Sequence, residues 1–200
     1  MIFDPSRWSA GDLASRYRAA SPFPHVAIDD FVEPTFLPDL RAAFDEEPAS
    51  RLEDEIFAVM ASGAPPEEPA FRAFHERLQT PEVLAAIGAI AGEPLAGAEV
   101  RAYAYLPGHY LLPHADRDLG GRRRVAYAFY VDILEGTEGG ELDLYRCDVH
   151  GGEIVATGVE TTIAPRPNRC VLFEVSERSL HRVREITAGG RLSLAGWFTR

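Results

Sequence analysis

The sequence contains no lysine, and all 20 of its basic side chains are arginine. Without a lysine amine, the chain cannot form a Schiff base with a carbonyl substrate, anchor pyridoxal phosphate or supply the lysine of a phosphate-binding P-loop. Several large enzyme classes are therefore excluded. Where the protein needs a buried cation to bind a carboxylate, that cation has to be an arginine, whose planar guanidinium matches a carboxylate well.

Cysteine is also scarce, since Cys147 and Cys170 are the only two in the chain. Two cysteines are too few for a disulfide framework or an all-thiolate zinc site. We expect both to be reduced thiols in the sheet region.

Basic residues and long apolar runs are limited as well. The formal net charge of −11 disfavours a sequence-independent grip on nucleic acid, which depends on cationic side chains that neutralise phosphates. No apolar run approaches the roughly 20 residues that span a bilayer, and the first residues lack a basic region followed by an apolar one. We expect a cytoplasmic protein that binds neither nucleic acid nor membrane; the sequence gives no indication of its oligomeric state.

The first part of the chain, residues 1–97, has mainly helical periodicity. Val26 and Ile28 alternate with polar neighbours and predict one short strand there. Residues 61–69 are rich in proline, glycine and acid, and predict a loop that, with the segment before it, could act as a lid. The stretches with helical spacing, the first of them capped by Ser9, are SAGDLASRYRAA, EPTFLPDLRAAFDEE, PEEPAFRAFHERLQ and TPEVLAAIGAIAG.

The second part, residues 98–200, changes to a period of two. Its β-branched and aromatic runs are separated by turn signals and have no helical crossovers between them, which is typical of an antiparallel jelly roll. We therefore predict one domain over residues 1–200 with a mostly β fold and an α annex: a double-stranded β-helix (jelly roll) core flanked by N-terminal helices. The runs are EVRAYAYL, RRVAYAFYVDIL, GELDLYR, ETTIAP, RCVLFEV and RLSLAGWFTR.

A His-x-Asp pair, His114 and Asp116, follows a proline near the end of a β run. In extended backbone, residues two apart project to the same face, so both side chains can reach one ion. The pair alone would hold a metal loosely, and His181 in a distant β run is the candidate third ligand. Two imidazoles and one carboxylate make the facial triad that suits non-haem Fe(II) and leaves positions for an organic cosubstrate and dioxygen.

This hypothesis requires a cation, because a 2-oxo acid bound to iron would leave its far carboxylate inside the barrel. Arg191 heads the last predicted strand and supplies the guanidinium. Ser193 shares its face of the strand and can donate a hydroxyl hydrogen bond.

These motifs together resemble the catalytic domain of the Fe(II)/2-oxoglutarate-dependent oxygenases, in particular the prolyl-4-hydroxylase-like branch. The resemblance covers about residues 98–200, and FPHVAIDDFVEPTFLPDLRAAF is similar to the N-terminal entry of bacterial members. The family's characteristic order appears here as His114-x-Asp116, Gly139-Gly140-x-Leu142, His181-x-Val183, Arg191 and Trp197-Phe198.

The resemblance implies that His114, Asp116 and His181 bind Fe(II) and that Arg191 binds the distal carboxylate of 2-oxoglutarate. It also implies O2 as cosubstrate, with ascorbate in a supporting role. Tyr105 and Tyr130 match tyrosines of the cosubstrate pocket, and Trp197 stands near the substrate in relatives; each of these aromatic residues has packing in the core as its alternative role.

Asp116 bears on the type of reaction that the resemblance implies. Related halogenases have a small residue at this position so that chloride can bind iron, whereas a carboxylate favours hydroxylation. The expected reaction is hydroxylation of an unactivated C–H bond, with conversion of 2-oxoglutarate into succinate and CO2.

The substrate is open at this stage: a prolyl residue of a peptide, a free amino acid and a related small molecule all fit. Arg122, Arg123 and Arg124 follow the ligand pair and could bind an acidic substrate at the rim, or be solvated charges at a strand end. Two other functional classes also stay open. One is a cupin-like metalloenzyme that does not use 2-oxoglutarate, and the other is a non-catalytic jelly-roll binding or sensor module.

Overall fold

The computed structural model of the chain describes residues 8–200. Residues 1–7, part of the stretch expected to hold no targeting segment, lie outside the described residues. None of the described helices has the length and apolar character needed to cross a membrane. The helices are α1 (Ala10–Ala19), α2 (Leu37–Glu46), α3 (Pro69–Leu78) and α4 (Pro81–Ala91), with a 3-10 turn at Pro34–Phe36 before α2.

The described strands form one antiparallel sheet. In sheet order, its main path runs β1-β10-β7-β12-β5-β3-β6-β11-β8-β9, while β2 pairs with β3 and β4 pairs with β12. The strands are β1 (His25–Ile28), β2 (Ala49–Asp54), β3 (Phe57–Ser62), β4 (Gly97–Ala98), β5 (Arg101–Tyr105), β6 (Tyr110–His114), β7 (Arg123–Ile133), β8 (Leu142–His150), β9 (Glu153–Ile163), β10 (Arg169–Glu174), β11 (His181–Val183) and β12 (Arg191–Thr199).

Strand β3 joins the two halves of the curled sheet. Met60 pairs with Ala104 of β5, and Ala58 pairs with Tyr110 of β6, so one strand hydrogen-bonds to both. The sheet thereby folds over on itself and encloses an apolar interior. The predicted fold class, a double-stranded β-helix with helices beside it, is confirmed.

Alternate residues of β7 face different cores. Tyr127 and Phe129 pack with the helices, where the ring of Phe74 from α3 stacks 5.4 Å from that of Phe129. Ala126 and Tyr130 point the other way, into the interior of the curled sheet. Because both faces of β7 are buried, the helices support the sheet from behind and leave its inner face for the site.

The hairpin of β2 and β3 was not predicted. The N-terminal part carries helices as expected, yet its residues 49–62 extend the catalytic sheet. Strand β2 is largely exposed and contains Glu53 and Asp54, residue types that are depleted in strands, so its local sequence gives little strand signal.

The predicted loop at residues 61–69 is shorter and more firmly held than expected. Its first two residues belong to β3, and α3 begins at Pro69. The buried carboxylate of Glu47 accepts hydrogen bonds from the backbone amides of Glu67 at 3.0 Å and Glu68 at 2.7 Å. This anchors the loop at the start of α3.

Candidate functional site

The candidate site lies where β6 and β11 meet. His114 ends β6 and His181 begins β11, and the two are register partners. Asp116 follows β6, with one carboxylate oxygen 3.2 Å from Nε2 of His114 and the other 3.5 Å from Nε2 of His181. One ligand atom from each of these side chains lies within 4.8 Å of the other two. This spacing fits one metal ion held by two imidazoles and a carboxylate.

Backbone carbonyl groups orient both imidazole rings. Nδ1 of His114 lies 2.9 Å from the carbonyl oxygen of Leu112, and Nδ1 of His181 lies 3.0 Å from that of Ser179. Because a carbonyl oxygen can only accept, each Nδ1 carries a proton and donates it. The neutral form of each ring therefore presents a bare Nε2 towards Asp116, which is the tautomer that a metal requires.

Burial and mutual contact set the charges of the three side chains. Burial lowers the pKa of His181 and favours its neutral form. Burial alone would raise the pKa of Asp116, but the hydrogen bond from His114 and the nearby His181 outweigh it and lower this pKa to about 2. Burial would likewise lower the pKa of His114, yet the hydrogen bond with Asp116 outweighs it and raises this pKa. Asp116 is thus an anion that faces two imidazoles. The hydrogen bond from His114 to Asp116 uses a proton on Nε2, which a divalent cation bound by the cluster would displace.

Arg191 lines the same cavity from the head of β12 and is 3% exposed. Its Nη1 donates a 2.6 Å hydrogen bond to the carbonyl oxygen of Gly140. Its guanidinium carbon lies 4.4 Å from the ring centre of Tyr105 and 5.0 Å from that of Tyr130. Gly140 has a φ of +79°, and a Cβ added there would lie 2.5 Å from Cδ1 of Ile186. Glycine therefore brings a backbone acceptor close to the guanidinium where a larger residue would be strained.

Three buried polar atoms near Arg191 find no hydrogen-bond partner within residues 8–200: the hydroxyls of Tyr130 and Ser193, and Nε of Arg191 itself. Ser193 and Tyr130 are register partners on β12 and β7. Burial raises the pKa of Tyr130, so its hydroxyl stays protonated and can donate. Unpaired buried donors are costly, so this cluster fits a ligand with an anionic acceptor, such as the distal carboxylate of 2-oxoglutarate.

The metal cluster and Arg191 share one cavity of about 310 Å³. Most strands of the curled sheet contribute to its walls. Strand β5 contributes Arg101, Tyr103 and Tyr105, and β12 contributes Arg191, Ser193, Ala195, Gly196 and Trp197. The β2–β3 hairpin contributes Leu52, Ile56, Phe57 and Val59, so the segment before the predicted lid lines the cavity.

Trp197 lies between the metal cluster and the rim. Its indole N–H faces Asp116 closely enough to help lower the pKa of that carboxyl, although the geometry falls short of a hydrogen bond. The guanidinium carbon of Arg123 lies 3.3 Å from the centre of the Trp197 ring, and Nη2 of Arg123 lies 3.3 Å from a carboxylate oxygen of Glu99. Trp197 is thus held by a stacked cation.

The two other arginines of the predicted rim face carboxylates of their own chain. Nε of Arg122 lies 3.5 Å from Asp118, and Nε of Arg124 lies 2.6 Å from Glu93. The residues that line the cavity do not include these three arginines. A role of Arg122, Arg123 and Arg124 in substrate binding stays a prediction.

Two cavity residues of β5, Arg101 and Tyr103, were missed from the sequence. The signal was present, since Tyr105 was selected and residues two and four positions before it share its face of the strand. The apolar wall from the β2–β3 hairpin gave no comparable signal, because it depends on pairing with distant strands.

Comparisons with known proteins agree with this geometry. Residues 99–199 match the 2OG-Fe(II) oxygenase superfamily. A prolyl 3-hydroxylase of Xenopus laevis, OGFOD1, is 42% identical over 92 residues, which is 44% of this chain and 17% of that protein. The chain therefore spans under a fifth of the length of this curated relative.

Solved structures share the fold across most of the chain. A prolyl-4-hydroxylase from Pseudomonas putida superposes with a TM-score of 0.71 and 23% identity, covering 94% of this chain and 98% of that one. An α-ketoglutarate-dependent epimerase of nogalamycin biosynthesis, SnoN, superposes with a TM-score of 0.70 and 15% identity, covering 98% and 82%. The fold alone thus does not select one reaction.

The match to the family extends over about half of the chain and includes every residue of the His-Asp-His cluster and Arg191. The chain belongs to the 2OG-Fe(II) oxygenase superfamily, whose members use Fe(II), 2-oxoglutarate and O2.

Proposed function

We propose that this chain is an Fe(II)- and 2-oxoglutarate-dependent dioxygenase that hydroxylates a prolyl residue. The observation that carries the proposal is the pairing, in one cavity, of the His114-Asp116-His181 cluster with a buried guanidinium surrounded by unpaired donors. The relatives named prolyl 3-hydroxylase and prolyl-4-hydroxylase support prolyl as the target.

His114, Asp116 and His181 would hold Fe(II) through the two Nε2 atoms and a carboxylate oxygen. The carbonyl groups of Leu112 and Ser179 keep the rings in the tautomer that binds metal. Bound Fe(II), together with 2-oxoglutarate and O2, supplies the oxidising power that replaces a C–H hydrogen by a hydroxyl group while 2-oxoglutarate becomes succinate and CO2. Because Asp116 occupies the position at which halogenases have a small residue, hydroxylation is favoured over halogenation.

Arg191 would bind the distal carboxylate of 2-oxoglutarate, with the hydroxyls of Ser193 and Tyr130 as further donors. A charge-assisted contact of this kind positions the cosubstrate and satisfies donors that the protein itself leaves unpaired. The ring of Tyr105 packs against the guanidinium and fixes its plane.

The apolar wall of the cavity would exclude water from the reacting atoms. Phe57 and Val59 of the β2–β3 hairpin face the cavity, and Ile56 at its turn is 44% exposed. A lid would therefore be formed by this hairpin, the segment before the predicted loop, rather than by residues 61–69 themselves.

The domain organisation belongs to the same proposal: a single oxygenase domain, with residues 98–200 as catalytic core and residues 1–97 as support. The match to the superfamily decides against a cupin-like enzyme that does not use 2-oxoglutarate. A non-catalytic module has no use for an intact ligand cluster beside unpaired donors. Ascorbate as a supporting reductant stays a prediction.

Anaerobic titration of Fe(II) and 2-oxoglutarate into the metal-free protein tests the proposal, with the visible charge-transfer band of the chelate as readout. The wild type should give the band, His181→Ala should lose it, and Arg191→Ala should require far more 2-oxoglutarate. Arg146→Ala, at an exposed side chain of β8 that does not line the cavity, is the control. Absence of the band in the wild type, or its persistence in His181→Ala, would contradict the assignment.

The prolyl target is tested separately. The reconstituted protein is incubated in air with proline-containing peptides, and succinate release and oxygen incorporation into the peptide are measured together. Oxygen incorporation at proline supports the proposal. Succinate release without modified proline in any peptide would keep the oxygenase and remove the prolyl target.

A further inference from the structure

Two cations line the cavity, and the proposed function uses only one of them. Arg191 lies at the inner end, where it is nearly fully buried, and Arg101 lies at the outer end, where it is half-buried. Asp116 is the one carboxylate in the lining, and it belongs to the metal cluster. Arg101 is therefore a positively charged side chain that lines the cavity and has no role in the proposed binding of iron or cosubstrate.

The register of β5 and β12 fixes how far apart the two cations are. Arg191 pairs with Tyr105, Ser193 with Tyr103, and Ala195 with Arg101. These pairs form three rungs of a ladder whose side chains line the cavity. Four residues of strand separate the innermost rung from the outermost, about 13 Å at the backbone. An anion bound at Arg101 is thus distinct from one bound at Arg191.

Arg101, Tyr103 and the metal ligand Asp116 line the same cavity. Burial raises the pKa of the Tyr103 hydroxyl, and Arg101, Asp116 and Arg123 all act on it electrostatically, which places this hydroxyl among the three charges. The outer end of the cavity thus combines a guanidinium and a phenol close to the metal ligand Asp116. Both groups can donate to one anion.

The neighbouring arginines differ from Arg101 in that each has a carboxylate partner. Arg123 pairs with Glu99 while stacked on Trp197, and the two arginines beside it are paired as well. Within residues 8–200, no carboxylate lies within ion-pair distance of Arg101. The chain has 31 acidic and 20 basic residues, so a cavity-lining guanidinium without a carboxylate partner is suited to bind an anionic group of the substrate.

We propose that Arg101, assisted by the Tyr103 hydroxyl, binds a carboxylate of the substrate next to the carbon that is hydroxylated. This inference rests on the proposed prolyl hydroxylation and narrows its substrate class. The carboxylate has two chemical sources: the side chain of an aspartate or glutamate that flanks a peptidyl proline, or the α-carboxylate of a free amino acid. A neutral prolyl peptide would leave Arg101 unpaired.

The test measures binding to the protein loaded with Fe(II) and 2-oxoglutarate under anaerobic conditions, by calorimetry. The probes are two matched pairs. The first is a capped peptide with a central proline flanked on both sides by aspartate, and the same peptide with asparagine. The second is L-proline and L-prolinamide. A charge-assisted contact in this setting corresponds to about a 10- to 100-fold preference for the acid over its amide.

Three variants locate that preference. Arg101→Gln should abolish the preference for the acidic member of the favoured pair while leaving the affinity for the amide member within about threefold. Arg101→Lys keeps the charge without the fork and should restore part of the preference. Arg146→Gln removes a cation whose exposed side chain does not line the cavity and should leave the preference intact. Thermal unfolding of each variant verifies that it is folded.

Each outcome decides a specific point. A preference for the aspartate peptide that Arg101→Gln removes supports a peptidyl substrate with a flanking acid, and the same result with L-proline supports a free amino acid. No preference in either pair, or a preference that survives Arg101→Gln, overturns the inference. Aerobic oxygen incorporation into proline is measured in parallel. If both peptides bind with equal affinity and both are hydroxylated, the inference about Arg101 is wrong and the proposed function stands. If the acidic peptide binds preferentially but no peptide is hydroxylated, the carboxylate site stands and the proposed prolyl hydroxylation is wrong.

Discussion

Replacing Arg191 with methionine separates the structural from the ligand-binding role of this buried guanidinium. In the free protein, the guanidinium has one hydrogen bond, to the carbonyl of Gly140, and packs on the rings of Tyr105 and Tyr130. Methionine has a similar unbranched stem and loses that hydrogen bond, worth about 1–3 kcal/mol. It also removes a buried charge that lacks an anionic partner, whose desolvation costs several kcal/mol.

The two effects oppose each other, so the ligand-free Arg191→Met variant should be about as stable as the wild type, or more stable. The increase in Tm on addition of 2-oxoglutarate should differ strongly between the wild type and the variant. At a cosubstrate concentration of 100 Kd, binding stabilises the wild type by about 2.7 kcal/mol, which raises the Tm of a domain of this size by about 5–10 °C. Losing one partner of a buried charge pair costs about 2–5 kcal/mol of affinity, so the shift in the variant should fall to about 3 °C or less.

Thermal unfolding with Fe(II), under anaerobic conditions and with stepwise addition of 2-oxoglutarate, measures both quantities in one assay. Arg146→Met is the matched control, because it makes the same chemical change at an exposed side chain that does not line the cavity. Retention of the full thermal shift by Arg191→Met would remove Arg191 from the cosubstrate site. If the unfolding free energy of the ligand-free variant is more than about 3 kcal/mol lower than that of the wild type, the guanidinium serves mainly to stabilise the fold.

Gly140→Ala should lower the affinity for 2-oxoglutarate several-fold in the same titration, because a side chain at φ +79° is strained and displaces the carbonyl that holds Arg191; unchanged affinity would contradict this. Burial opposes ionisation of Asp143, but hydrogen bonds from Thr162, Arg182 and Arg184 outweigh burial and lower the pKa of this carboxyl. The Asp143→Asn variant should therefore lose about 2 kcal/mol of unfolding free energy at pH 7. Since a lowered folded-state pKa stabilises above the unfolded value, this deficit should narrow below about pH 4 in urea titrations, and a pH-independent deficit would refute the assignment. Burial raises the pKa of both thiols and leaves Cys170 no exposed surface, so a thiol reagent should label Cys147 first and Cys170 only on unfolding; equal labelling rates in the native protein would contradict the buried position.

The parts of the site that could be predicted are those that depend on local spacing. His114 and Asp116 are two residues apart at the end of a strand, and the alternation of extended backbone is enough to bring them together. Arg191 and Ser193 follow the same rule on β12, which pairs along its length with β7 and β5. Such positions need no knowledge of distant contacts.

The parts that could not be predicted depend on long-range pairing. Strand β2 is exposed along most of its length, and its partner β3 forms because it pairs with β5 and β6 far along the chain. His181 was predicted as the third ligand from the donor set and the family resemblance, but the contact itself follows from the pairing of β11 with β6, in which β11 has only 3 residues and gives little strand signal. The partners of the rim arginines belong to this class too, since Glu93 and Glu99 come from the region after α4.

The ladder of β5 and β12 also bears on how such an enzyme changes its substrate over time. Every rung faces the same cavity, and in the proposed function the inner rung binds a cosubstrate common to the superfamily while the outer rung binds the molecule to be oxidised. A substitution at Ala195 or Arg101 alters the outer rung without moving Arg191, because the backbone pairing between them is unaffected. Selection can therefore redesign the recognition of the target while the oxidising machinery is inherited intact.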